Sequence, residues 1–283
     1  MHIPIKIAVH RAVLVVLAIG QGAGISAAEP IRTARAPRVL HIPTAHLQPP
    51  RQVHVSAGGT HRGGAFAAIS TGLGRLAEID VEVSDRLAGC RQCAGDDRRA
   101  DALVAASALF KVGLGENHLV QWQPALALGF RTTLGTRRVD DFDRLRVARL
   151  YAVASKTLSS LQLHVGFDIW DAAVRRDGQR RVLSNQPLSD RTRPFGGFAW
   201  TPSLYPRTSL IGDISWSPVV DENRVELRWL AGWGAYYQAL DWASIELSVR
   251  HRQGQGLGDA TVAIRVNASF PRSRARLHKG RQK

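Results

Sequence analysis

The stretch D-A-T-V-A-I-R-V-N-A-S-F, residues 259–270, alternates strictly between apolar and polar side chains. In an extended strand Val262 and Ile264 point to one face, whereas Arg265 and Asn267 point to the other, because successive side chains leave the pleat on opposite sides. The segment ends on the aromatic Phe270. A strand of this length with one apolar and one polar face is typical of a transmembrane β-barrel, which predicts that the pattern recurs along the chain.

The same rhythm does recur along most of the sequence. Strand-like segments, most of them near the 9–11 residues that a tilted membrane strand needs, occur at 52–59, 64–72, 76–85, 102–113, 124–135, 145–156, 160–170, 195–203, 208–218, 224–237, 240–251 and 259–270. Two are ambiguous, because Arg146 and Arg149 put a cation on each face of one and Pro202 restricts pairing in the other. The sequence therefore predicts an all-β fold, a closed antiparallel transmembrane β-barrel of about twelve strands, with ten as the alternative.

Connection lengths agree with a barrel. Most connections from an even-numbered to an odd-numbered strand are short, whereas the two long ones, 87–101 and 171–194, run from odd to even. Barrels have short periplasmic turns and longer outer loops, so both termini are predicted to lie in the periplasm. Cys90 and Cys93 would then lie in an outer loop, as a candidate disulfide or as inert thiols. No metal site is predicted, because two further ligands are lacking nearby.

The two ends of the chain suggest further boundaries. Residues 1–28 are predicted to be a signal peptide, with Lys6 and Arg11 before a short apolar core and small residues before Glu29. An uncleaved N-terminal anchor is the alternative. Residues 29–50 are rich in proline and arginine and are predicted to be a periplasmic tether. The barrel domain is predicted at 51–270, followed by a basic tail at 271–283.

The net charge of +15 is concentrated in part near the two ends of the mature chain. Such charge suits contact with membrane lipid or lipopolysaccharide, or a solvated tail. No nucleic-acid partner is expected, since the basic residues are not interleaved with stacking aromatics. Aromatic side chains in the second half suit the interfacial girdles of a membrane protein. The candidate interfacial aromatics are Trp200, Trp216, Trp229, Trp233, Tyr236 and Trp242.

If the apolar faces meet lipid, the polar faces line a lumen of mixed charge. The candidate lumen-lining residues are Glu78, Asp80, Glu82, Lys111, Arg131, His164, Asp168, Asp213, Glu226, Arg228, Glu246, Arg250 and Arg265. Such charges can form cross-strand ion pairs or line a wet pore. The acids Glu78, Asp80 and Glu82 on one strand repel one another and need facing cations. The hypothesised cations are Arg131, Arg228, Arg250 and Arg265.

The segment S-T-G-L-G-R-L-A-E-I-D-V-E-V-S, Ser70 to Ser84, resembles a glycine-bounded hairpin common in proteobacterial outer-membrane proteins. It is similar to hairpins in outer-membrane transporters and in YjbH-like barrels associated with exopolysaccharide. The resemblance covers about fifteen residues and implies a membrane barrel inserted by the barrel-assembly machinery. One departure is that Pro271 to Lys283 follow Phe270, whereas such barrels normally end at the terminal Phe.

No catalytic residue is predicted. The H-x-S-N-G element of the outer-membrane phospholipase has no counterpart, and His61 and His164 lack a serine and an orienting partner at a suitable spacing. We therefore expect a non-enzymatic protein of the cell outer membrane, without a cofactor. The expected function is a passive channel or a transport or secretion accessory, with a small polar solute or a polysaccharide as cargo. The alternatives are a non-conducting structural or envelope-interaction barrel and a soluble secreted β-sandwich binding protein.

Overall fold

The computed structural model describes residues 38–62, 64–90, 103–134, 144–176, 179–183, 186–220 and 225–271. The predicted signal peptide, residues 29–37 of the predicted tether, Cys93 and residues 272–283 of the predicted tail lie outside these ranges. Within them, no helix has both the length and the apolar character that a membrane crossing requires.

Twelve antiparallel β-strands form one closed barrel. The barrel strands are β3 (Gln52–Thr60), β4 (Ala65–Leu73), β5 (Ala77–Cys90), β6 (Leu103–Leu114), β7 (Ala125–Thr133), β8 (Arg144–Leu158), β9 (Leu161–Arg176), β11 (Thr192–Trp200), β12 (Thr208–Val220), β13 (Val225–Leu240), β14 (Ala243–Arg252) and β15 (Thr261–Pro271). Each pairs with the next, and β15 pairs with β3 to close the cylinder. The predicted fold class is confirmed, with twelve strands rather than ten.

Five short elements among the described residues accompany the barrel. Strands β1 (Arg38–Val39) and β2 (Ile42–Pro43) pair with each other. Strand β10 (Gln179–Val182) extends from β9 in the connection to β11, and a single-turn helix α1 (Leu188–Arg191) follows it. A 3₁₀ turn at Leu257–Asp259 precedes β15.

Side chains alternate between an apolar outer surface and a polar interior. On β9 the outward Val165 and Phe167 are each 62% exposed, whereas the inward His164 and Asp168 are fully buried. Exposed large apolar side chains recur at outward positions of the other strands, including Ile69 on β4. Outward apolar side chains around a closed, polar-lined cylinder are the arrangement of a transmembrane barrel, in which lipid covers the outer face.

The two ends of the barrel differ in their connections. At one end lie short turns such as 74–76, where Gly74 has a φ of +75°, 159–160 and 241–242. Strand β3 begins and β15 ends there. The two arginines of β8 whose orientation the sequence left open point to opposite faces of the barrel. Arg149 points inward, whereas Arg146 points outward and pairs with Asp171 of β9 at 2.8 Å. This exposed ion pair lies beyond the outward apolar side chains of β9, near the opposite end of the barrel.

Residues 39–48 occupy the lumen, and we call them the N-terminal plug. Leu40 and Ile42 are 1% and 0% exposed, packed in a cluster that includes Tyr151, Phe195 and Ile211 of the inner wall. The predicted tether is therefore wrong for the part that the structure describes. The proline content alone suggested an extended, solvated segment. The physical reason for the difference is that the lumen offers apolar contacts to this segment, and burial of each large apolar side chain stabilises the fold by about 1.5–3 kcal/mol.

The end opposite the short turns is narrowed. Val219 and Val220 of β12 pair in parallel with Gly89 and Cys90 of β5, although these strands lie six places apart on opposite sides of the twelve-stranded cylinder. Beside them, the fully buried Leu183 after β10 completes an apolar cluster with inward side chains of β8, β9 and β13. This end of the lumen is therefore covered by protein.

We expect the outer surface to behave as a lipid-facing band. Val165→Arg, in the middle of the outward apolar run of β9, should destabilise the barrel folded in phospholipid bilayers by about 2–4 kcal/mol, because the guanidinium would lie in hydrocarbon. Leu158→Arg, on the same surface at the short-turn end, is the matched control and should cost at most about 1 kcal/mol. Urea unfolding of both variants in vesicles measures the difference. Equal costs would contradict the lipid-facing assignment.

Candidate functional site

The candidate site is the lumen, formed by the inner wall and the N-terminal plug. The structure places every candidate lumen residue on inward-facing positions: Glu78, Asp80, Glu82, Lys111, Arg131, His164, Asp168, Asp213, Glu226, Arg228, Glu246, Arg250 and Arg265. Most are buried, whereas Arg131, Glu226, Arg228 and Arg250 are half-buried. Their side chains fall into separate groups with different partners.

The three acids of β5 are neutralised by β6 and β7. Arg131 donates to Asp80 at 2.8 Å and to Glu82 at 2.6 Å, while Lys111 lies 3.1 Å from Glu78. The hypothesised compensation is therefore right for Arg131. Lys111 supplies the second cation because β6 is the direct neighbour of β5, and it stands opposite Glu78 in the register.

Two of the other hypothesised cations serve different acids. Arg265 pairs with Glu246 of the adjacent β14 at 2.9 Å, and Arg228 pairs with Glu226 two residues away on β13. The hypothesis that they compensate for the acids of β5 is wrong. The physical reason is distance, since each guanidinium finds a carboxylate on its own or the neighbouring strand before it can cross the lumen.

A further ion pair is surrounded by aromatic side chains. Arg149 of β8 donates to Asp168 of β9, with the closest contact at 2.6 Å. Its guanidinium also lies 4.9 Å from the ring centre of Trp170 and 5.3 Å from that of Phe195. Sequence reasoning left the direction of Arg149 open, and only the register of β8 on its neighbours places it inside.

Asp213 on β12 holds the turn of the plug. Its Oδ2 accepts the backbone N–H groups of His41 at 2.6 Å and of Ile42 at 3.1 Å. Its Oδ1 lies 3.0 Å from Nδ1 of His41. One buried carboxylate thus satisfies two backbone donors that would otherwise be orphaned in the lumen, where such groups are costly to leave unpaired.

Other wall residues hold the returning part of the plug. Ser155 Oγ accepts the N–H of Ala45 and bonds His164 Nδ1, both at 2.8 Å. Glu78 accepts the N–H of Gln48 at 2.8 Å, and Lys111 donates to the carbonyl of residue 46 at the same distance. The predicted lumen residues Glu78, His164 and Asp213 are therefore brought together by a segment that sequence reasoning placed outside.

Two inward glycines make room for the plug. A Cβ on Gly197 of β11 would lie 2.7 Å from Cδ1 of Ile42, and one on Gly232 of β13 would lie 2.7 Å from Cε1 of His41. Sequence reasoning did not single out either residue as functional. The available signal was a glycine inside a strand, which often marks the close approach of another chain segment.

The plug separates two cavities. The larger, about 220 Å³, lies at the short-turn end and is lined by Val39 and Thr44 of the plug together with wall residues such as Ser56, Ser209 and Asn267. The smaller, about 80 Å³, lies on the other side of the plug, against Leu40 and His41 and the ion pairs of Arg131 and Arg149. Asp80 contributes to the walls of both.

The aromatic predictions divide. Five candidates lie on the outer surface or in a short turn: Trp200, Trp216, Trp229, Trp233 and Trp242. Trp233 is near the middle of β13 rather than at a strand end. The prediction that Tyr236 is an interfacial aromatic is wrong, because even-numbered positions of β13 point inward. Its ring lines the larger cavity, and its hydroxyl donates to Gln238 Oε1 at 2.9 Å.

The cysteine prediction remains untested, since Cys90 ends β5 and Cys93 lies outside the described residues. Within the described ranges, no group of three or more His, Cys, Asp or Glu side chains could hold a metal ion.

No protein-family model matches the sequence, and no curated protein matches it. The fold is similar to those of solved outer-membrane barrels. The KdgM porin in complex with disordered oligogalacturonate is 8% identical, with a TM-score of 0.49 over 77% of this chain and 99% of the porin. Outer-membrane phospholipase A from Escherichia coli is 10% identical, with a TM-score of 0.43 over 80% of this chain and 94% of the enzyme. Omp33 from Acinetobacter baumannii is 9% identical, with a TM-score of 0.38 over 77% and 97%. Because porins and a phospholipase both occur among them, this similarity concerns the fold alone.

Proposed function

We propose that the protein is an outer-membrane channel for small polar solutes that its own N-terminal plug holds closed. The observation that carries the proposal is the filling of the lumen by a separate chain segment. Barrels of about eight strands are filled by the side chains of their own wall, and larger ones enclose cavities or channels. Here the twelve-stranded wall leaves space that Leu40, Ile42 and Ala45 occupy from within.

The manner of attachment supports a gate. Strands β1 and β2 pair only with each other among the described strands, and the plug is held through side chains such as Asp213, Ser155 and Glu78. If the plug left the lumen, the strand pairing of the barrel would stay intact. The exposed wall would present the carboxylates of Asp213 and Glu78 beside an apolar patch that includes Tyr151. Charged groups on an inner wall suit a water-filled path.

A second candidate function is a permanently closed structural or envelope-interaction barrel. The observation that favours it is the parallel pairing of β5 with β12, together with the buried Leu183 beside it. These contacts cover the end of the lumen that the plug does not reach. Conductance measurements separate the two candidates.

A reversible cross-link tests the channel. The backbone nitrogen of Ala45 lies 2.8 Å from Ser155 Oγ, so Ala45→Cys with Ser155→Cys, in a background carrying Cys90→Ser and Cys93→Ser, should tie the plug to the wall. In planar bilayers we expect discrete openings under reducing conditions and none after oxidation. Ser155→Cys alone is the control, and its conductance should be the same under reducing and oxidising conditions. A barrel that stays sealed when reduced, and also after deletion of residues 39–48, would establish the second candidate instead.

A glycine substitution should open the barrel without weakening its wall. In Gly232→Ala the new methyl group would contact the His41 ring at 2.7 Å and Asp213 Oδ1 at 3.0 Å, which displaces the turn of the plug. We expect a higher open probability in bilayers with unchanged heat-modifiable migration on gels. Gly196→Ala is the matched control, because that Cβ meets its nearest atom at an ordinary 3.4 Å. If both variants conducted like the parent, His41 and Asp213 would not hold the gate.

A further inference from the structure

We infer that the larger cavity is a binding site for a neutral, polyhydroxylated solute about the size of one sugar ring. The inference rests on the proposed function in one respect, namely that this ligand would be the solute that the channel passes. The site itself is defined by its position, its chemistry, its charge balance and two unpartnered polar atoms.

The cavity is accessible from the short-turn end and closed above by the plug. Its mouth is formed by exposed turn residues, including Arg207 and Asp241, and its inner end by Val39 and Thr44. The cavity volume of about 220 Å³ is many times the roughly 10–15 Å³ that a single water molecule requires. This volume suits a small molecule and excludes a folded polymer while the plug is in place.

The wall presents neutral hydrogen-bonding groups. Serine hydroxyls such as Ser56 and Ser209 and the carboxamide of Asn267 face the space, with the inward ring of Tyr236 beside them. Hydroxyl and carboxamide groups both donate and accept hydrogen bonds. Closely spaced donors and acceptors next to apolar ring faces match a ligand whose hydroxyls alternate with C–H surface.

The two buried carboxylates at the wall are already paired. Glu246 is bonded to Arg265 at 2.9 Å, and Asp80 is bonded to Arg131 at 2.8 Å. Each carboxylate therefore has a cation within contact distance, and an ionic ligand would have to compete with that pairing. A charged solute would also lose its hydration on entry without gaining a free counter-charge inside. This arrangement favours neutral over anionic or cationic ligands.

Two nearly fully buried polar atoms at this wall have no hydrogen-bond partner within the described part of the protein. They are Ser70 Oγ and His164 Nε2, the latter on a ring whose Nδ1 is bonded to Ser155. Buried polar atoms are nearly always paired in native proteins. Rotation about χ1 alone reorients the Ser70 hydroxyl, so a ligand hydroxyl in the cavity can supply the partner that Ser70 lacks.

Equilibrium binding to the full chain in detergent micelles tests the inference, with glucose, galacturonate and glucosamine as neutral, anionic and cationic probes. We expect saturable glucose binding by titration calorimetry and binding of each charged sugar at least about tenfold weaker. Ser209→Val and Asn267→Leu should each weaken glucose binding roughly five- to tenfold, the effect of losing one or two hydrogen bonds. Heat-modifiable migration on gels identifies any variant that fails to fold. If one of the two variants fails, the glucose affinity of the other tests the inference.

Ser217→Val is the matched control, because Ser217 lies on the same face of β12 as Ser209 but lines the smaller cavity. Its glucose affinity should equal that of the parent. Absence of saturable glucose binding, preference for a charged sugar, or equal losses in the Ser209 and Ser217 variants would each overturn the inference. Binding is measured without a bilayer, so a barrel that binds glucose yet never conducts would refute only the proposed channel. A barrel that conducts yet binds none of the probes would refute only this site.

Discussion

The pairing of β15 with β3 is the constraint on which the rest of the structure depends. It joins the two ends of the strand series, so none of the twelve described barrel strands is left with a free edge in the membrane. In lipid, an unpaired row of backbone groups has no solvent to satisfy it, which is why only helices and closed barrels cross. Once the cylinder is closed, the period of two divides every strand into a lipid-facing side and a lumen-facing side.

Closing the barrel also buries charged side chains in the lumen, where the protein must supply their partners. Inward charges are removed from bulk water, and a buried charge is tolerated only with a partner. Arg131 between Asp80 and Glu82, and Arg149 beside Asp168, meet that condition within the wall. The backbone of the plug meets the same condition differently, because wall side chains replace the strand partners that its N–H groups lack.

The strand pattern was sufficient to predict a closed barrel of about twelve strands, because side-chain alternation is a property of each segment by itself. Contacts between distant segments were not predictable in this way. The Pro-rich stretch before Arg51 has no period that distinguishes a solvated tether from a buried plug, and nothing local indicates that Asp213 accepts its amides. Tyr236 was misplaced although the alternation of β13 already put it inside with Glu226 and Arg228. The predicted partners of Arg228 and Arg265 were wrong for a related reason. An ion pair forms with a carboxylate that the side chain can reach on its own or a neighbouring strand, and only the strand register shows which carboxylate that is.

In the channel that we propose, the plug acts as a gate rather than as part of the folding core. A core element would contribute strand pairing. Apart from an isolated bridge between Pro50 and Gly72, the plug and residues 49–51 add none to the barrel. Its departure would expose a few apolar side chains, such as Leu40 and Ile42, at about 1.5–3 kcal/mol each. Against this cost, Asp213 and the ion-paired wall would regain water. Opening of the proposed gate therefore requires a ligand or condition that favours the open state by enough to offset this burial.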